Sequence, residues 1–175
     1  SNLRDDDYGG SIDNRVRLLK EVTAALVAEV GAKRTHVRLS PNGAVQGVDD
    51  SDPQALFTAA AKVLDDLGIA SLELREPGSQ SSFLASDVEP ISPLIRPLFR
   101  GALILNSDYL ADSAEQRLDE GVADAISFGR PWLANPDLVE RFRTGAALNE
   151  PDVKTFYSQG PEGYTDYPSL AERRA

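Results

Sequence analysis

The sequence predicts an α/β protein whose strands run parallel. Stretches with helical apolar spacing alternate with short extended apolar stretches between residues 13 and 144. Regular alternation of this kind implies parallel strands joined by right-handed crossovers. The extended stretches are short and apolar, which suits a sheet covered by helices. Gly31, Gly68, Gly121 and Gly145 fall where the helical stretches end, the place where glycine most readily stops a helix.

Residues 1–10 are polar and acidic, and Tyr8-Gly9-Gly10-Ser11 reads as a turn. Ile12, Val16, Leu19, Val22, Leu26 and Val30 recur at helical spacing, so a helix with one apolar face is expected over 13–30, capped by Ser11 or Asp13. Residues 35–41 alternate: Val37 and Leu39 point one way, and His36, Arg38 and Ser40 the other. If helices cover the apolar face, Arg38 looks into whatever the sheet encloses and needs partners there. The alternative is a surface arginine on a two-layer sheet. His36 reads as a satisfied histidine, buried or at the rim.

Residues 42–51 form a polar loop with two glycines, and Asp52-Pro53 opens a helix that Gly68 closes. A strand is expected over 69–74. The serine- and proline-rich stretch 77–93 is long for a loop, of the kind that serves as a lid or binding loop. A brief helix over 94–99 precedes the apolar strand 102–105, which ends at Asn106-Ser107-Asp108. A helix then runs through Leu110, Ala114, Leu118 and Val122. Beyond residue 145, the prolines, glycines and aromatic residues Phe156, Tyr157, Tyr164 and Tyr167 predict a tail ordered by packing.

Residues 125–138 stand out. They read as a short buried strand, a turn at Gly129, Arg130, and a helix opening at Asn135-Pro136, with Asn135 as N-cap and Pro136 first in the helix. Glycine lets a backbone approach a ligand closely and adopt dihedrals closed to other residues. Arginine offers a fork of donors matched to phosphate oxygens. The pattern suits an anion site, although Gly-Arg alone also describes a loop with a solvated arginine.

The totals exclude several classes. With 175 residues the chain can bury a sizeable core. A net charge of −10 argues against a general nucleic-acid or anionic-membrane surface, so an anionic ligand would need a local positive pocket. The absence of cysteine removes disulfides, thiolate metal sites and a cysteine nucleophile, and a single histidine rules out a histidine-rich metal centre. No apolar run is long enough to span a bilayer and no signal-peptide pattern opens the chain, so a cytoplasmic protein is expected. Methionine is absent even at residue 1, which leads to the expectation of a processed chain or a piece of a longer one.

Four strands in alternation with helices fit either an open doubly wound sheet or half of an eight-fold barrel. No glycine-rich dinucleotide fingerprint is present. At this point specific stretches resemble the Old Yellow Enzyme family of flavin-dependent ene-reductases. Residues 8–17, Tyr-Gly-Gly-Ser-Ile-Asp-Asn-Arg-Val-Arg, resemble one family segment, and Val37-Arg38-Leu39-Ser40-Pro41 resembles its arginine-bearing fifth strand. Phe128-Gly129-Arg130 with Ala134-Asn135-Pro136-Asp137-Leu138 is similar to its phosphate segment, and Phe156-Tyr157 with residues 162–168 is similar to its C-terminal tail. The matches come in order across nearly the whole chain.

The resemblance implies the C-terminal half of a (β/α)8 TIM barrel over 1–145, with a tail over 146–175 packing near the flavin and the active-site mouth. It implies FMN as cofactor, NAD(P)H as reductant, and reduction of activated alkenes such as enones, maleimides and nitroalkenes. Arg38 would lie beside the pyrimidine edge of the flavin and favour its anionic reduced ring. Gly129 and Arg130 would hold the phosphate, and Asn106, Ser107 and Asp108 would cover it through backbone amides. Phe156 and Tyr157 would sit near the flavin rim. The chain departs from the family at Ser107, where glycine is usual, and at Asp108, where a carboxylate must turn away from a phosphate. The residues that grip the substrate oxygen and donate a proton belong to the family's N-terminal half, so no catalytic residue and no metal site are expected in this chain.

A half barrel leaves strand edges unpaired, and such edges are templates for association. A complementary N-terminal half-barrel chain or segment is therefore the expected partner, with an activated alkene as the small-molecule ligand and neither nucleic acid nor membrane. The chain is expected to be inactive alone. Other readings are a non-catalytic half-barrel that binds a phosphate ligand or serves assembly, and another kind of FMN barrel enzyme.

Overall fold

The computed structural model describes residues 2–42, 49–78, 81 and 85–172. The remainder of the loop expected over 42–51, and part of the serine-rich stretch expected as a lid, lie outside the described residues. The chain divides into two compact units, Ser1–Ser127 and Phe128–Ala175.

The first unit contains α1 (Ile12–Val30), β1 (His36–Leu39), α2 (Pro53–Asp66), β2 (Ser71–Arg75), α3 (Ser92–Ile95), β3 (Ala102–Asn106), α4 (Ala111–Asp119) and β4 (Ala125–Ser127). The strands form one sheet in the order β1-β2-β3-β4, with every neighbouring pair parallel. Each strand thus adds beside the one before it, as strand–helix–strand units with a single hand require. The expected parallel α/β architecture is borne out.

Local sequence explains the helix boundaries. Ser11 caps α1 by accepting a hydrogen bond from the Asn14 N–H at 3.2 Å, and Gly31 ends it with φ at +89°. Asp52 caps α2 by accepting from the Ala55 N–H at 3.0 Å, and Pro53 occupies the first turn, where its missing N–H costs nothing. The short helix expected over 94–99 starts earlier, at Ser92. Glu76 is the reason: its Oε1 accepts from the N–H groups of Ile91 and Ser92 at 2.7 and 3.0 Å. The long helix expected to reach Val122 stops at Asp119, and the strand expected to end at Leu105 includes Asn106.

Alternation along the strands gives the sheet two unlike faces. Val37, Leu39, Leu72, Leu74, Leu103, Leu105 and Ile126 join the core with Leu64 of α2, Ile95 of α3 and Phe99. Leu64, Leu72, Leu74 and Leu103 are fully buried, and each such side chain contributes roughly 1.5–3 kcal/mol. The register places His36, Arg38, Ser71, Glu73, Arg75, Asn106 and Ser127 on the opposite face.

The second unit holds α5 (Arg130–Ala134), α6 (Leu138–Thr144) and a 3-10 turn, Val153–Thr155. The expectation of a tail with little regular structure is borne out. The expected helix opening at Asn135-Pro136 is not. A helix already runs from Arg130, Asn135 ends it, and Asp137 stands at the N-cap of α6. The Asn135 side chain is needed elsewhere. It is fully buried, its Nδ2 donates to the Pro131 carbonyl at 2.8 Å, and its Oδ1 accepts from the Asn149 N–H at 2.7 Å.

Arg141 completes that interior. It has no exposed surface. Its Nε donates to Asp137 at 2.6 Å, and its other nitrogens donate to the carbonyls of Ala147 and Pro168 at 2.6 and 2.9 Å. Asn149 donates to Ala134 and Pro168 at 2.7 and 2.8 Å. The irregular chain is thus tied to α5 and α6 by polar side chains that satisfy its backbone, as buried backbone requires.

Candidate functional site

The polar face of the first unit carries the main constellation. Arg38 stands on β1, Glu73 on β2, Asn106 on β3 and Ser127 at the end of β4. The Arg38 Nη2 donates to Asn106 Oδ1 at 2.8 Å, and its Nε lies 3.4 Å from Glu73 Oε1. Asn106 Nδ2 donates to the Ser127 carbonyl at 3.0 Å and to its hydroxyl at 2.9 Å. The Ser127 hydroxyl in turn donates to Glu73 Oε1 at 2.8 Å. Arg38 therefore has the partners its position on this face demands, while half of its side-chain surface remains accessible. His36 sits at the rim, bonded through Nδ1 to the Ser71 hydroxyl at 2.6 Å, with Nε2 3.5 Å from Glu73.

The chain leaves β3 through an unusual turn. Ser107 has φ at +140° and Asp108 at +40°, values that favour glycine and that a side chain makes strained. The Ser107 hydroxyl is buried with no hydrogen-bond partner among the described residues. The Asp108 carboxylate accepts from the Ser81 hydroxyl. An orphaned buried hydroxyl on a strained turn at the carboxyl end of a parallel strand is the kind of position where α/β sheets bind ligands.

The second unit holds the other expected residues. Gly129 precedes α5 and Arg130 opens it. The Gly129 φ of −95° is open to any residue, so no forbidden dihedral requires glycine there. A Cβ placed on Gly129 would meet no atom within 4 Å, which leaves room for a group from outside the chain. Phe156 is half-buried at the end of the 3-10 turn. Tyr157 is exposed, with φ at +60°, and its N–H donates to the Tyr164 hydroxyl at 2.7 Å. Arg38 and Asn106 are thus brought into contact, with Ser107 and Asp108 directly following. Gly129, Arg130, Phe156 and Tyr157 lie in the other unit.

Sequence reasoning missed Glu73 and Ser127. A signal was present, because Ser71, Glu73 and Arg75 alternate with Leu72 and Leu74; taking the stretch as a plain buried strand hid it. Among the described residues no cluster of His, Asp or Glu side chains could hold a metal, and no helix is long and apolar enough to cross a membrane.

Comparison with known proteins agrees with this picture. The NADH:flavin oxidoreductase / NADH oxidase family matches residues 1–149. A protein of Leishmania infantum named as a flavin mononucleotide-dependent alkene reductase is 39% identical over 97% of this chain and 45% of its own length. The solved old yellow enzyme homologue of Zymomonas mobilis is 51% identical, with a TM-score of 0.93 over 95% of this chain and 47% of that one. Morphinone reductase, solved in complex with tetrahydroNAD, is 44% identical, with a TM-score of 0.86 over 97% of this chain and 45% of that one. The chain spans about half the length of these relatives. Its four parallel strands correspond to half of their (β/α)8 barrel. The resemblance read from the sequence is borne out, and the chain belongs to the NADH:flavin oxidoreductase / NADH oxidase family, among the old yellow enzymes.

Proposed function

We propose that this chain contributes the FMN-binding half of an oxidoreductase that reduces activated C=C bonds with NAD(P)H. The observation that carries the reading is the turn after β3, where Ser107 and Asp108 take glycine-like conformations and the Ser107 hydroxyl is buried without a partner among the described residues. That atom suits a phosphate oxygen, and the Asp108 carboxylate is already engaged by Ser81. Gly129 and Arg130 would hold the phosphate, the first by leaving space and the second by charge-assisted hydrogen bonds. Arg38 would serve the pyrimidine edge of the ring, and Phe156 and Tyr157 its rim. FMN, when bound, supplies the hydride transfer from NAD(P)H to the alkene.

The residues that grip the alkene and donate the proton come from a complementary N-terminal half, and this chain is inactive without it. Two features support that partner. Among the described residues, β1 pairs only with β2. Leu18, Val22, Leu26 and Val30 form an exposed stripe at helical spacing along α1.

Arg130→Ala in the full-length protein tests the reading. Loss of one charge-assisted contact is expected to weaken FMN binding by roughly 1.5–3 kcal/mol, seen as loss of flavin absorbance on dilution. FMN retained with unchanged affinity would count against the assignment.

A further inference from the structure

We propose that Glu73 is a positioning residue that fixes the orientation and the effective charge of Arg38, and through it tunes the reduction potential of the bound flavin. The inference rests on the reading of Arg38 as the flavin-edge arginine. It goes beyond that reading by assigning a role to Glu73, Asn106 and Ser127 as one unit.

The four side chains close a ring, and each comes from a different strand of the sheet. The ring also has a direction. Arginine can only donate, an amide accepts at one end and donates at the other, a hydroxyl does both, and a carboxylate can only accept. Arg38 donates to Asn106, Asn106 to Ser127 and Ser127 to Glu73. The charge pair between Glu73 and Arg38, at 3.4 Å, then joins the last member to the first. This order fixes the Asn106 amide, because turning it over would aim its NH2 at the guanidinium, donor against donor. It also fixes the Ser127 hydroxyl, whose proton points at Glu73.

Two consequences follow for Arg38. Its guanidinium is held from two sides, by Asn106 and by Glu73, so its plane is set before any ligand arrives. Its positive charge is also partly offset by a carboxylate that is largely shielded from water. A cation beside the flavin stabilises the reduced, negatively charged ring and raises the reduction potential; a carboxylate behind that cation lowers it again. The other Glu73 oxygen lies 3.5 Å from His36 Nε2. The direction of any change at Glu73 is therefore set by charge, whereas a merely structural bond would leave the potential alone.

The experiment is a spectroelectrochemical titration of FMN in the full-length enzyme, with variants compared at equal flavin loading. Glu73→Gln keeps the shape and removes the charge. At a fixed applied potential it is expected to increase the ratio of reduced to oxidised FMN by roughly threefold or more. Asn106→Asp places a second carboxylate against Arg38 and is expected to move the ratio the other way. It also serves if Glu73→Gln does not fold. Opposite shifts support the proposal. Lowered melting temperatures with an unmoved potential in both variants overturn it. Arg38→Ala separates the two layers. If it leaves the potential unmoved, the reading of Arg38 fails; if it lowers the potential while the Glu73 and Asn106 variants do nothing, only the positioning role fails.

Discussion

The two units solve the same problem with opposite chemistry. The first packs leucine and isoleucine from three helices and four strands into a dry core, and regular backbone bonding takes care of the peptide groups. The second has little regular structure, and beside Leu138 its interior is filled by Asn135, Arg141 and Asn149. Their side chains bond the carbonyls and N–H groups that an irregular chain leaves over. Where the backbone satisfies itself, side chains are free to be apolar. Where it does not, polar side chains must be buried to serve it.

The largest expected effect breaks the second unit. Arg141→Ala strands the Ala147 carbonyl, takes one of two partners from the Asp137 carboxylate and the Pro168 carbonyl, and empties a fully buried site. It is expected to destabilise residues 128–172 by on the order of 3–5 kcal/mol. Peptide-resolved hydrogen exchange of the full-length protein should show that loss in the second unit first. Uniform loss across both units would mean that they do not open separately.

Leu72→Ala does the equivalent in the first unit. It opens a cavity beneath a fully buried position and is expected to cost about 2–4 kcal/mol, read as a shift in the urea midpoint. If a polar change such as Thr23→Ala cost as much, the picture of a core dominated by apolar packing would fail.

Acid sharpens the contrast, because Asp137 in the second unit and Glu76 in the first respond with opposite sign. Hydrogen bonding from Arg141, and then from the Leu170 N–H, holds the Asp137 carboxyl below its ordinary value of 3.8. Its contribution is present above that value and is lost as pH falls through the lower folded one. Burial pushes the Glu76 carboxyl above its ordinary 4.5, against the opposing hydrogen bonds from Ser92 and Ile91. The folded state holds that proton more tightly, so the contribution is present below 4.5 and is lost as pH rises through the folded value. Glu76→Gln should therefore gain on the wild type as pH rises from 4 to 7 in urea melts. A difference that stays constant over that range would remove Glu76 from the account.

The smallest effect expected is at a helix end. Ser11→Ala removes the cap of α1 and should cost about 1 kcal/mol, visible as faster exchange over 12–15.

The same contrast decides what the sequence discloses. Apolar spacing in Val16, Leu19 and Leu64, with glycines at the helix ends, made the elements of the first unit legible, because burial imposes a period on the side chains. The arginine on the polar face of β1 was legible for the same reason. Nothing periodic marks Asn135 or Arg141. A buried asparagine and a surface cap look alike in sequence, and the mistaken helix start at Asn135-Pro136 came from that ambiguity. The site was half legible. Arg38 and Asn106 were identified, while Glu73 was hidden inside a strand taken as apolar. Ser127 was hidden because its part depends on pairing across residues distant in sequence.

The ring on the polar face carries a further consequence, for the order in which the molecule assembles. Among the described residues each strand pairs only with its neighbours in the sequence, so the sheet can grow one strand at a time as the chain emerges. The ring needs one residue from every strand and cannot close until the last arrives. It therefore belongs to the end of folding: its loss should hasten unfolding and leave the rate of folding nearly untouched.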